Sequence, residues 1–129
     1  MMNSKQLARI AGIAALVVAG NAWKAEARTR KGDRFLTQSR AAEIRKEWDQ
    51  ALTFAEQALS EDPADVAYQL TATRLRFYGA QYHVDQAKKM RDQGQLTEAL
   101  AEFEKAYGIN PASSIAEEEI TRTRRMIES

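Results

Sequence analysis

Two stretches, residues 48–63 and 96–111, carry small, apolar and proline positions in the same order, displaced by 48 residues throughout. Trp48, Ala51, Leu52, Ala55, Ala58 and Leu59 fall opposite Leu96, Ala99, Leu100, Phe103, Ala106 and Tyr107, and Pro63 falls opposite Pro111. The spacing of three, one, three, three and one draws a single apolar stripe on a helix of 3.6 residues per turn. The chain therefore repeats a helical unit. Such a unit buries its face mainly against its neighbours, which suits a binding surface or spacer better than a reaction vessel.

The rest of the sequence agrees with helices. Two prolines and six glycines occur in 129 residues. No dense run of Val, Ile and Thr alternates with polar residues outside the first twenty positions, so strands have little support. The expected class is all-α. The formal charge of +1 is uneven: residues 1–27 hold Lys5, Arg9 and Lys24 against Glu26, and setting them aside leaves 16 basic and 17 acidic groups, a net −1. That balance gives no electrostatic case for nucleic acid. Zero cysteines exclude disulfides, thiolate nucleophiles and sulfur-bound zinc.

At the start, Lys5 and Arg9 precede an apolar run from Ile10 to Gly20, and Ala25, Glu26 and Ala27 supply a small-residue cleavage pattern. Residues 1–27 are expected to be a signal peptide and 28–31 a basic linker, with the helical domain over 32–128. Uncleaved, Leu7 to Trp23 would instead serve as an inner-membrane anchor. Lys24, Arg28, Arg30, Lys31 and Arg34 put more positive charge behind the apolar run than stands before it, which weakens the export signal.

Five helices are predicted. The first, over about 32–45, has Phe35, Leu36, Ser39, Ala42 and Ile44 on a mixed apolar face. The second spans about 47–60 and stops before Pro63, where Asp65 can cap the third. The third runs unbroken to about Gln93 with a stripe through Val66, Leu70, Thr73, Phe77, Ala80, Val84 and Ala87, widened by Leu75, Tyr78 and Tyr82. It is roughly 40 Å long at 1.5 Å per residue. Gly94 and Gln95 turn into the fourth, and Ser114 with Glu117 forms a capping-box pattern for a fifth that carries Ile115, Ile120, Thr123 and Ile127 inward.

Ala99, Phe103, Ala106 and Pro111 resemble the second-helix pattern of the tetratricopeptide repeat (TPR) family, and Ala51, Ala58 and Pro63 match it with Ala55 in the aromatic place. In the first-helix half, Ser39 and Ala87 fill the small position, while Phe35 and His83 stand where the family has its large aromatic. The family repeats every 34 residues, so the 14 extra residues fall at the front of the long third helix. The resemblance implies tetratricopeptide-like hairpins that bind another protein or peptide. Behind a signal peptide and a basic segment, the arrangement also resembles the amino-terminal part of bacterial secretin-type outer-membrane channel proteins. That resemblance implies an exported, periplasmic or outer-membrane-associated protein in secretion or pilus-channel assembly.

No residue type points to a reaction. His83 adjoins Asp85 in sequence, but near neighbours on a helix diverge, so no relay follows. Glu117, Glu118 and Glu119 diverge likewise and suit a helix N-terminus better than a metal. Arg74, Arg76, Lys88, Lys89 and Arg91, with Arg122, Arg124 and Arg125, are interspersed with Asp85, Asp92, Glu98, Glu102, Glu104 and Glu128 and are expected to be paired or solvated. The aromatics Tyr68, Phe77, Tyr78 and Tyr82 are expected mainly in the core. The chain is read as a non-catalytic scaffold without cofactor or metal, with Tyr78, Gln81, Tyr82 and Asp85 as the partner-binding candidates. The rival reading is a structural, self-associating module, since two hairpins fall short of the three repeats a stable array usually needs.

Overall fold

A computed structural model describes residues 30–129, and these form five helices and no strand. They are α1 (30–44), α2 (Trp48–Glu61), α3 (Val66–Asp92), α4 (Leu96–Ile109) and α5 (Ser114–Glu128). The expected signal peptide, the anchor alternative and linker residues 28 and 29 lie outside the described residues. Residues 30 and 31, expected in the linker, are already helical.

The connections repeat as faithfully as the stripes. After α1, Lys46 N donates to Glu43 O at 2.9 Å and Glu47 N to Ala42 O at 3.0 Å. After α3, 48 residues on, Gly94 N donates to Arg91 O and Gln95 N to Met90 O, both at 2.9 Å. Both pairs close a helix with a left-handed residue, the usual glycine-terminated ending. Gly94 takes φ +80° at no steric cost, whereas Lys46 is held at φ 58° with a side chain present.

The two proline corners also coincide. Asp62 Oδ1 accepts from Ala64 N at 3.2 Å and Asp62 O from Asp65 N at 3.1 Å; Asn110 Oδ1 accepts from Ala112 N at 3.3 Å and Asn110 O from Ser113 N at 3.0 Å. Each corner delivers its last residue in extended conformation as an N-cap: Asp65 accepts from Tyr68 N, and Ser113 from Ala116 N. The cap of α5 is therefore Ser113, one residue before the expected Ser114, because the turn closes there.

Within each hairpin the helices meet at small residues. Ser39, Ala42, Ala51, Ala55 and Ala58 are fully buried between α1 and α2, and the Ser39 hydroxyl donates to Ala51 O at 2.7 Å. Ala87, Ala99, Phe103 and Ala106 do the same between α3 and α4. Two departures from expectation follow from helix geometry. Ile44 is almost fully exposed, because two residues beyond Ala42 is the far side of α1. Tyr107, at the edge of its stripe, is also exposed.

α3 departs most from expectation. Its buried residues are Tyr68, Ala72, Leu75 and Gly79 in the first half and Ala80, His83, Val84 and Ala87 in the second. Val66, Leu70, Thr73 and Phe77, expected in the core, are exposed. The cause is that α3 serves two sets of neighbours on two different sides. The first half packs with Leu36, Leu52 and Ala58 of the first hairpin, and the second half with Phe103, Ala116 and Ile120. A helix with two sets of neighbours cannot follow one stripe. Ile109 touches both cores and joins them.

α5 closes the second core with Ala116, Ile120 and Thr123, while Ile115 and Ile127 are exposed rather than inward. Arg91 reaches across from α3 to pair with Glu119, donates to Thr123 Oγ1 at 3.2 Å and lies 5.2 Å over the Phe103 ring. Such a guanidinium contributes packing and cation–π attraction as well as charge. Among the described residues no helix is long and apolar enough to cross a membrane.

Candidate functional site

Tyr78, Gln81, Tyr82 and Asp85 stand at helix positions i, i+3, i+4 and i+7, so α3 presents them along one strip. Tyr78, Tyr82 and Asp85 are exposed and Gln81 is half-buried. The expectation that Phe77, Tyr78 and Tyr82 are core aromatics is thus corrected; of the four aromatics only Tyr68 is buried.

The strip is held from beneath. Trp48, at the start of α2, stacks on Tyr78 with ring centroids 5.7 Å apart, and Phe77 meets Tyr78 edge-on at 5.6 Å. The Arg74 guanidinium lies over the Tyr78 ring, 5.9 Å from its centroid, and is fixed by a two-pronged pair with Glu43 of α1 whose Nη2 to Oε2 distance is 2.8 Å. The hydrogen bonds from Arg74 hold the Glu43 carboxyl below the usual carboxylate range, against the opposing effect of partial burial. Gln81 Nε2 donates to Asp85 Oδ1 at 3.0 Å, which orients both.

Tyr82 rests edge-on against the His83 ring at 5.2 Å, and His83 is the hub that the sequence does not reveal. It is only 3% exposed, with Nε2 2.7 Å from Asp49 Oδ1 of α2 and Nδ1 2.6 Å from Glu102 Oε2 of α4. Lys105 adds a contact to the other Asp49 oxygen at 3.5 Å. These partners lie 34 and 19 residues away in sequence, so spacing around Asp85 could not have found them. With both nitrogens engaged and the ring buried, His83 has no free atom for a substrate. It fastens α2 and α4 to α3 at the point where the two hairpins meet.

Two further arginines pair across helices, Arg76 with Glu56 at 3.4 Å and Arg124 with Glu104 at 3.2 Å, besides Arg74 and Arg91. Of the acidic residues named from sequence, Glu104 and Glu119 pair with these arginines. Among the described residues no buried side-chain polar atom lacks a partner, and no three His, Asp or Glu side chains converge as a metal would require.

No family model and no curated protein matches this chain. Among solved structures it is similar to the Arabidopsis OM64 TPR domain, at 15% identity and a TM-score of 0.39, over 77% of this chain and 98% of that one.

Proposed function

We propose that this chain is a non-catalytic scaffold of the tetratricopeptide type that holds a peptide or helix of another protein on the exposed strip of α3. The observation that carries the reading is the strip itself. Two tyrosines, an amide and a carboxylate stand together on a helix whose core contacts are made by other residues. Tyrosines supply large contact area at low side-chain entropy cost, and the Gln81–Asp85 pair supplies oriented polar groups. Trp48 and Arg74 stiffen Tyr78 in advance of binding, which lowers the ordering cost.

The leader pattern at residues 1–27 supports export to the periplasm or outer membrane. A role in secretion or pilus-channel assembly is the narrower form of this reading, and rests on the order of leader, basic segment and hairpins. The basic residues behind the apolar run favour a second reading, in which the leader is retained and the chain is an inner-membrane-anchored adaptor.

Capture of partners from native extract tests the function. The wild-type chain should retain a partner that a variant carrying Tyr78→Ala, Gln81→Ala, Tyr82→Ala and Asp85→Ala loses, with the helical circular dichroism of the two chains unchanged. Equal capture by both would refute the assignment of the strip.

A further inference from the structure

Val66, Leu70, Thr73 and Phe77 step by four and three along α3, and the same steps continue through Ala80, Val84 and Ala87. This is the seam of a helix that packs against other helices. Its second half is closed, since Ala80, Val84 and Ala87 are buried with Phe103, Ala116 and Ile120. Among the described residues nothing packs on its first half: Val66 and Leu70 are each 64% exposed and Phe77 59%. There the first hairpin occupies the side of α3 that carries Tyr68, Ala72 and Leu75. Ile115 extends the bare apolar surface, lining with Phe77 and Ala80 a shallow groove at the start of α5.

We propose that a second copy of this chain covers the bare half-seam, its α3 running antiparallel so that Val66 faces Phe77 and Leu70 faces Thr73 across a two-fold axis. Three features of the face fit this occupant. First, the bare half continues an interface that the same helix already makes with helices of its own chain, so the matching surface is an apolar helix face. Second, the flanking Arg74 and Arg76 are already paired with Glu43 and Glu56 of their own chain, so the occupant need bring no counter-charge. An antiparallel copy sets Ala67 beside Arg74 and Gln69 beside Arg76, with no like charges directly opposed. Third, the antiparallel register places large against small, whereas a parallel copy would oppose Phe77 to Phe77 and Leu70 to Leu70. A two-fold contact of this kind closes on itself and leads to a dimer rather than a fibre.

This face adjoins the partner-binding strip, since Phe77 meets Tyr78 edge-on and Gln81 lines the same groove, but the strip's tyrosines point about a third of a turn further around α3. The test is the solution mass of the full chain by light scattering over about 1 μM to 1 mM, a span that includes weak dimers. The wild type should rise toward twice the monomer mass. A variant with Leu70→Glu and Phe77→Glu, both at exposed positions, should keep its helical content and melting temperature and weaken association at least about tenfold. A variant with Tyr78→Ala and Tyr82→Ala should associate like the wild type. Because the chain has no cysteine, chains with Leu70→Cys mixed with chains with Thr73→Cys should form a disulfide-linked dimer on oxidation. A wild type that stays monomeric throughout, or a glutamate variant that associates equally well, overturns the proposal. Association without the mixed disulfide overturns the antiparallel register.

Discussion

The edge of the Tyr68 ring occupies the place where a side chain on Gly32 would begin: a β-carbon there would lie 2.6 Å from Tyr68 Cε2 and from Oη. Tyr68 is almost completely buried and cannot swing aside. Gly32→Ala should therefore lose about 1 to 3 kcal/mol, as overpacked sites do, although alanine is the better helix former. Gly79 is the contrasting case, with only Ile109 Cγ2 at 3.8 Å from an added β-carbon, an ordinary contact. Gly79→Ala should gain up to about 1 kcal/mol. Urea unfolding of the two variants checks both signs.

The paired turns after α1 and α3 make a reciprocal prediction. Lys46 holds a left-handed conformation that costs a residue with a side chain roughly 1 to 2 kcal/mol, and Gly94 holds the same conformation freely. Lys46→Gly should raise the unfolding free energy by about 1 kcal/mol, and Gly94→Ala should lower it by a similar amount. Thermal melts read the opposite shifts.

Burial raises the Tyr68 phenol well above its ordinary range, and the Asp33 carboxylate, which accepts a hydrogen bond from the hydroxyl at 2.6 Å, raises it further. A group whose folded pKa is raised gives stability that is complete below its unfolded pKa, about 10 for tyrosine, and is lost as pH climbs beyond it. Stability should thus fall steeply on the alkaline side of pH 10. Tyr68→Phe should cost about 1 kcal/mol at neutral pH through the lost hydrogen bond, yet show a flatter alkaline slope. Denaturant midpoints taken across the alkaline range distinguish the two chains.

Removing His83 should separate the hairpins. His83→Ala leaves the Asp49 and Glu102 carboxylates facing one another without the imidazole between them, at an expected cost of about 2 to 4 kcal/mol. Asp49→Asn should cost less, because the Asp49 side chain is half exposed. A double-mutant cycle between His83 and Glu102 should give a coupling above about 0.5 kcal/mol.

Much of this fold is legible in the sequence because its signals are local. Small-residue stripes such as Ala99, Phe103 and Ala106 read directly as a packed helix, and Pro63 and Pro111 fix where helices must stop. Lys46 hides its turn, since a lysine carries no sign of a left-handed conformation, whereas Gly94 at the equivalent position announces one. The two faces of α3 are equally hidden. Val66, Leu70 and Phe77 are as periodic as the buried residues, and which face is covered depends on where α2 and α4 happen to lie. The strip from Tyr78 to Asp85 could be placed on one helix face by counting, but its supports, Trp48, Arg74 and His83 with their distant carboxylates, are matters of tertiary contact. Periodicity shows that a helix has a face; it does not show what meets it.

Recognition by the α3 strip can be read by photocrosslinking in native cells from single photoreactive residues at positions 78, 82 and 122. Positions 78 and 82 lie on the proposed recognition strip, and Arg122 is exposed on α5. One shared partner protein should crosslink from 78 and 82 and not from 122. No adduct at either strip position, or the same adducts from all three sites, would contradict recognition by the strip.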